Sequence, residues 1–129
     1  MEQRNLFLYH FFFTRIAIIS WILSMMVICY MSLVPRLVTP IDFSHSDKVW
    51  HALAYLWVSL LPFIGFENKR NALYGSLLMI ALGLALEFGQ YFIPERDASI
   101  GDLLANIVGV VLGILLGSAL RRFYPRYSI

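Results

Sequence analysis

Long apolar runs alternate with short polar connections along this chain. The runs cover residues 16–34, 48–66, 72–93 and 102–120. Each is close to the roughly 20 apolar residues that carry a helix across a bilayer. The connections at 35–47, 67–71 and 94–101 hold much of the charge, and Pro35, Pro40 and Pro94 punctuate the run ends. Pro62 falls near the end of the second run, where a kink is expected. The pattern predicts an all-α membrane protein, with four transmembrane helices in a small bundle forming one domain over residues 1–129. The segment "LFLYHFFF", residues 6–13, reads either as an interfacial foot or as an extension of the first helix, with Arg15 snorkelling and His10 at the interface. The first run is too long for a signal-peptide core and no small-residue cleavage site follows it, so it is expected to be retained.

Lysine and arginine placement sets the expected orientation. Arg4, Arg15, Lys69, Arg70, Arg121, Arg122 and Arg126 fall on one side of the predicted membrane, and Arg36, Lys48 and Arg96 on the other. The positive-inside rule puts the first group, and with it both termini, in the cytoplasm of a multi-pass cell-membrane protein. Composition agrees with the membrane class: of 129 residues, 60% are hydrophobic and 14% charged, with a mean hydropathy of +0.72. A net charge of +2, with no basic face, argues against nucleic acid as a partner. The single cysteine, Cys29, allows no intrachain disulfide and reads as a small buried hydrophobe.

This orientation gathers the unusual polar residues on the outer side. In "SHSDKVWHALAY", Asp47, Lys48, His51 and Tyr55 share a helix face at three- and four-residue spacing. In "LEFGQYFIP", Glu87 and Gln90 do the same, with Pro94 one turn beyond Gln90, which places Glu87 about two turns, roughly 10 Å, inside that proline. Asp102, Asn106, Gly109, Gly113 and Gly117 form one stripe on the fourth helix. Ser44-x-x-Asp47 and Ser99-x-x-Asp102 resemble capping boxes, which would occupy each aspartate at least in part. The glycine stripe reads as close helix packing, and it is also where an oligomer seam would form. Tyr55, Tyr91, Trp50 and Trp57 read as belt or packing residues. A carboxyl such as Glu87 must face the bundle, paired or protonated. Lys48, at the end of its helix where the macrodipole disfavours a cation, needs a negative partner: Asp47, Glu87, Asp102 or a ligand. Arg96, between Glu95 and Asp97, is either a solvated charge or a guanidinium aimed at phosphate or carboxylate.

These residues carry a family resemblance. Asp47-Lys48-x-x-His51, together with Glu87-x-x-Gln90-x-x-x-Pro94-x-Arg96-x-x-Ser99-x-x-Asp102-x-x-x-Asn106-x-x-Gly109, resembles the VanZ-like family of small bacterial membrane proteins over roughly residues 35–117. The resemblance implies an integral envelope protein and, through the family's name, a link to glycopeptide (teicoplanin) resistance. The family's biochemical activity is unsettled, so it implies no mechanism.

Three functions fit the constellation. The first is an outward pocket that recognises an anionic, lipid-linked envelope molecule, with Lys48 and Arg96 (and Arg36) meeting negative groups and Asp47, Gln90, Ser99 and Asn106 completing the lining. The second is an acid/base enzyme acting on a lipid headgroup through His51, Glu87 and Asp102. The third is a small proton-coupled transporter using Glu87 and His51. The expected partners are membrane lipids and an anionic lipid-linked precursor. No cofactor or metal is expected, since no metal signature is present; His51, Glu87 and Asp102 are the one set that offers metal ligands.

Overall fold

The structure is a computed structural model that describes residues 2–35, 46–94, 96 and 98–123, with side chains from Phe11 onward. Arg36, Ser44 and Arg126 lie outside the described residues, as do the side chains of Arg4 and His10. The capping box expected at Ser44 therefore lies outside them too.

The chain is all-α, with no strand among the described residues. Helix α1 spans Glu2–Leu33, α2 Ser46–Gly65, α3 Lys69–Gln90 and α4 Ile100–Phe123. Three helical stretches are long and apolar enough to cross a membrane: Phe11–Leu33 within α1, then α3, then α4. Helix α2 is diluted by Asp47, Lys48 and His51 in its first turns and falls short of that measure. It is also the most enclosed helix, packed against the other three, whereas α1 and α4 do not touch.

The boundaries follow local chemistry. The segment 6–13 is helical, so it extends α1 rather than forming a separate foot. The side chain of Asn68 caps α3 by accepting the Arg70 N–H at 2.8 Å. Helix α3 stops at Gln90, three residues before the predicted end. Pro94 disfavours helical backbone at Ile93. The N–H groups of Tyr91, Phe92 and Ile93 instead donate to the carbonyls of Phe88, Gly89 and Gln90 at 3.3, 3.1 and 3.0 Å, a tight turn. Helix α4 runs on through Arg121 and Arg122, cations at the end where the macrodipole favours them.

The α2–α4 seam is set by glycine. Gly109, Gly113 and Gly117 are all buried. A β-carbon on Gly109 would meet the backbone of Ala52 and Leu56, one on Gly113 would lie 2.6 Å from the Leu56 carbonyl, and one on Gly117 would lie 2.5 Å from the Phe63 ring. Only bare backbone allows the two helices this close. The stripe is thus used inside the chain, between α2 and α4.

Polarity is inverted relative to a water-soluble bundle. Ser46, Ser59, Ser76, Glu87, Gln90, Asp102 and Asn106 are buried, while Phe12, Phe13, Ile19, Leu23, Met26 and Val27 on α1 and Leu104, Leu115 and Leu116 on α4 are exposed. So wide an apolar exterior accords with three helical stretches long and apolar enough to cross a membrane. A smaller apolar core of Trp21, Tyr55, Val58, Leu61, Met79 and Val110 holds the helices together.

The two ends of the bundle differ in charge. At one end Arg121 donates to the carbonyls of Phe63 (2.8 Å), Glu67 (3.2 Å) and Phe66, which closes the C-terminus of α2. A groove at that end is lined by Lys69, Ser118, Arg121 and Arg122, and a second by Arg15, Glu67 and Asn68. The opposite end holds Asp47, Lys48, His51, Glu87, Arg96 and Asp102.

Candidate functional site

The polar end is assembled from the start of α2, the end of α3, the connection after it and the start of α4. Lys48 Nζ donates to Asp102 Oδ1 at 3.0 Å and to Asp47 Oδ2 at 3.1 Å. The partner that Lys48 needed is therefore a pair of aspartates from two helices. Asp102 is the buried member, with its side chain 12% exposed against 57% for Asp47. Gly101 makes room for the lysine stem, since a β-carbon there would lie 2.7 Å from Lys48 Cε.

One turn deeper, His51 Nδ1 lies 3.0 Å from Asn106 Oδ1. An amide oxygen only accepts, so Nδ1 is the donor of this bond, and in the neutral imidazole Nε2 is the nitrogen with the lone pair. Asn106 is 2% exposed and is fixed between His51 and the α3 backbone at Gly83.

Glu87 lies in the last turn of α3, buried at 8% exposure. Because α3 ends at Gln90, Glu87 sits about 4.5 Å from the helix end by helix rise. Its Oε2 accepts the Ser99 N–H at 3.2 Å. The capping box expected at Ser99 takes a different form. The Ser99 carbonyl accepts the N–H of Asp102 and of Leu103, both at 3.1 Å, but the Asp102 carboxylate turns to Lys48, and Glu87 of α3 takes the serine's N–H instead. The junction between α3 and α4 is thereby tied to the site.

His51, Glu87 and Asp102 converge. Each offers one ligating atom, and the three atoms lie within 4.8 Å of one another. These groups are able to exchange protons, accept hydrogen bonds or hold a cation.

Gln90 and Arg96 are placed elsewhere. Gln90 Nε2 donates to the Ser32 carbonyl at 3.2 Å. Arg96 donates to the carbonyls of Val34, at 3.0 Å, and Met31. Both bind carbonyls at the C-terminal end of α1, so Arg96 acts on backbone carbonyls here, as Arg121 does at the other end. Sequence reasoning left Tyr55, Gly83 and Gly101 without a site role. Tyr55 is 2% exposed, and a β-carbon on Gly83 would meet the Tyr55 ring at 3.2 Å and Asn106 Nδ2 at 3.3 Å. The available signal was spacing: Tyr55 is four residues after His51, and Gly83 four before Glu87.

Fold and site together define a small helical protein with membrane-spanning character and a half-buried ionisable cluster at one end. The chain matches no family model, and no solved structure matches it. It is similar to an uncharacterised protein of the fission yeast Schizosaccharomyces pombe, 28% identical over 110 residues, which is 83% of this chain. The match spans 65% of that relative's length.

Proposed function

We propose that this chain is an integral membrane protein of the VanZ-like type. In this reading all four helices cross the bilayer, both termini are cytoplasmic, and the polar end forms an outward pocket for the headgroup of an anionic, lipid-linked molecule. The observation that carries the reading is the burial of Glu87, Asp102 and Asn106 beside His51 and Lys48, at one end of a bundle whose outer surface is apolar. Intramembrane ionisable groups are expensive and mark ligand sites by default. Helix α2 crosses despite its polar start because the other helices enclose it. The segregation of Arg15, Lys69, Arg70, Arg121 and Arg122 from Lys48 and Arg96 supports the orientation.

The family resemblance rests on the motif residues from Asp47 to Gly109. The fission-yeast relative puts a similar sequence outside bacteria. The ligand is therefore framed by its chemistry, an anionic headgroup on a lipid, with teicoplanin resistance one setting in which such a headgroup matters.

The test is mass spectrometry of lipids retained by the purified protein and by Lys48→Ala. Wild type is expected to retain an anionic lipid that Lys48→Ala loses. Identical profiles would remove the headgroup reading.

A second reading is favoured by the convergence of His51, Glu87 and Asp102: acid/base chemistry on the bound headgroup, with His51 Nε2 accepting a proton and a carboxyl supplying one.

A further inference from the structure

The geometry points to a divalent-cation site, of the Zn²⁺ class, formed by His51, Glu87 and Asp102 at the polar end of the bundle. It deepens the headgroup reading and rests on it only for what the ion would meet.

Three observations carry it. The first is composition: one imidazole and two carboxylates from three helices place one ligating atom each within 4.8 Å of the others. Ligands about 2.1 Å from a tetrahedral ion lie roughly 3.4 Å apart, so side-chain adjustments of about 1 Å close the set.

The second is the way each ligand is held. Asn106 takes the proton-bearing Nδ1 of His51, leaving the Nε2 lone pair. The Ser99 N–H takes Oε2 of Glu87, leaving Oε1. Lys48 takes Oδ1 of Asp102, leaving Oδ2. One atom of every ligand is fixed by a neighbour and one is left over, and outer partners orient metal ligands in the same way.

The third is charge. Three carboxylates, Asp47, Glu87 and Asp102, stand against one lysine, and Glu87 has no ion pair among the described residues. With all three carboxyls ionised, as ligation by Glu87 and Asp102 requires, a dication brings this group to neutrality. It would also add to the positive charge that Lys48, with two of its three N–H donors on aspartates, offers an anionic headgroup, while Arg96 is engaged with carbonyls of the chain. Three protein ligands leave a coordination position open for a headgroup oxygen.

The test uses the full chain in detergent micelles, stripped with chelator and then titrated with Zn²⁺. Bound metal is read by elemental mass spectrometry after desalting, and by the shift in thermal midpoint. Wild type is expected to retain about one Zn²⁺ per chain and to melt higher when loaded. His51→Ala, Glu87→Gln and Asp102→Asn, checked for native helix content and elution, are expected to bind at least about 100-fold more weakly. No saturable Zn²⁺ binding by folded wild type would overturn the site, and so would equal retention by the folded variants. Lipid retention, measured on stripped and loaded protein, separates the two proposals. Zn²⁺ bound without any preference for anionic lipid removes the headgroup reading and leaves the metal site standing. Anionic lipid retained without saturable Zn²⁺ does the reverse.

Discussion

Gly113→Leu is expected to destabilise the folded bundle by about 3 kcal/mol or more, at the upper end of the overpacking range. A β-carbon at Gly113 would already lie 2.6 Å from the Leu56 carbonyl, 2.8 Å from Ser59 Cβ and 3.1 Å from the Leu60 nitrogen. Two of those three atoms are backbone, so the strain cannot be relieved by turning a side chain. Helices α2 and α4 would have to separate, and the Lys48–Asp102 and His51–Asn106 contacts span that same seam. Gly89→Ala is the matched control. Its β-carbon would meet only the end of the Leu33 side chain, at 3.2 Å, and its effect is expected to stay below about 1 kcal/mol. The measurement is unfolding in mixed micelles by denaturing detergent. Equal midpoints for the two variants would contradict the close α2–α4 packing.

Glu87→Gln is expected to separate structure from chemistry. Glutamine has a similar shape, and its amide oxygen still accepts the Ser99 N–H, so the α3–α4 junction should hold. The ionisable group is lost. Under the acid/base reading, turnover of a headgroup substrate falls by about 100-fold or more while the protein accumulates and keeps its lipid. Turnover within a few-fold of wild type would eliminate Glu87 as the acid or base. Loss of accumulation would make it a structural residue.

The four helices were legible because apolar runs of about 20 residues are a strong signal, although α2 proves less apolar than a membrane-crossing stretch requires. Their ends were less so. Asn68 at the start of α3 has no apolar neighbour pattern to announce it, and the stop at Gln90 is imposed by Pro94, four residues later. The wrap of the other helices around α2 was not readable either. That helix falls short of the membrane-crossing measure and is the most enclosed, and a hydropathy pattern cannot tell lipid-facing from helix-facing apolar surface.

Within the site, spacing put His51 with Lys48, Glu87 with Gln90, and Asp102 with Asn106, because three- and four-residue separations fix a shared face. Which face met which was a question of packing. Lys48 choosing Asp102 over Glu87, and Arg96 turning to the α1 carbonyls, depend on contacts across helices far apart in sequence. The exchange of the Ser99 capping box for a bond to Glu87 is of the same kind. The local signature was present, and a more distant partner took its place.

The central claim is that the polar end receives a lipid headgroup. It is tested most directly by photolabelling the reconstituted protein with an anionic lipid that carries its reactive group in the headgroup. The account predicts adducts on the first turns of α2 and α4 and the last turn of α3, around Lys48, Glu87 and Asn106, that are competed by unlabelled anionic lipid and not by zwitterionic lipid. Adducts confined to the Lys69, Arg121 and Arg122 end, or spread evenly over the outer face of α1 without competition, would contradict it.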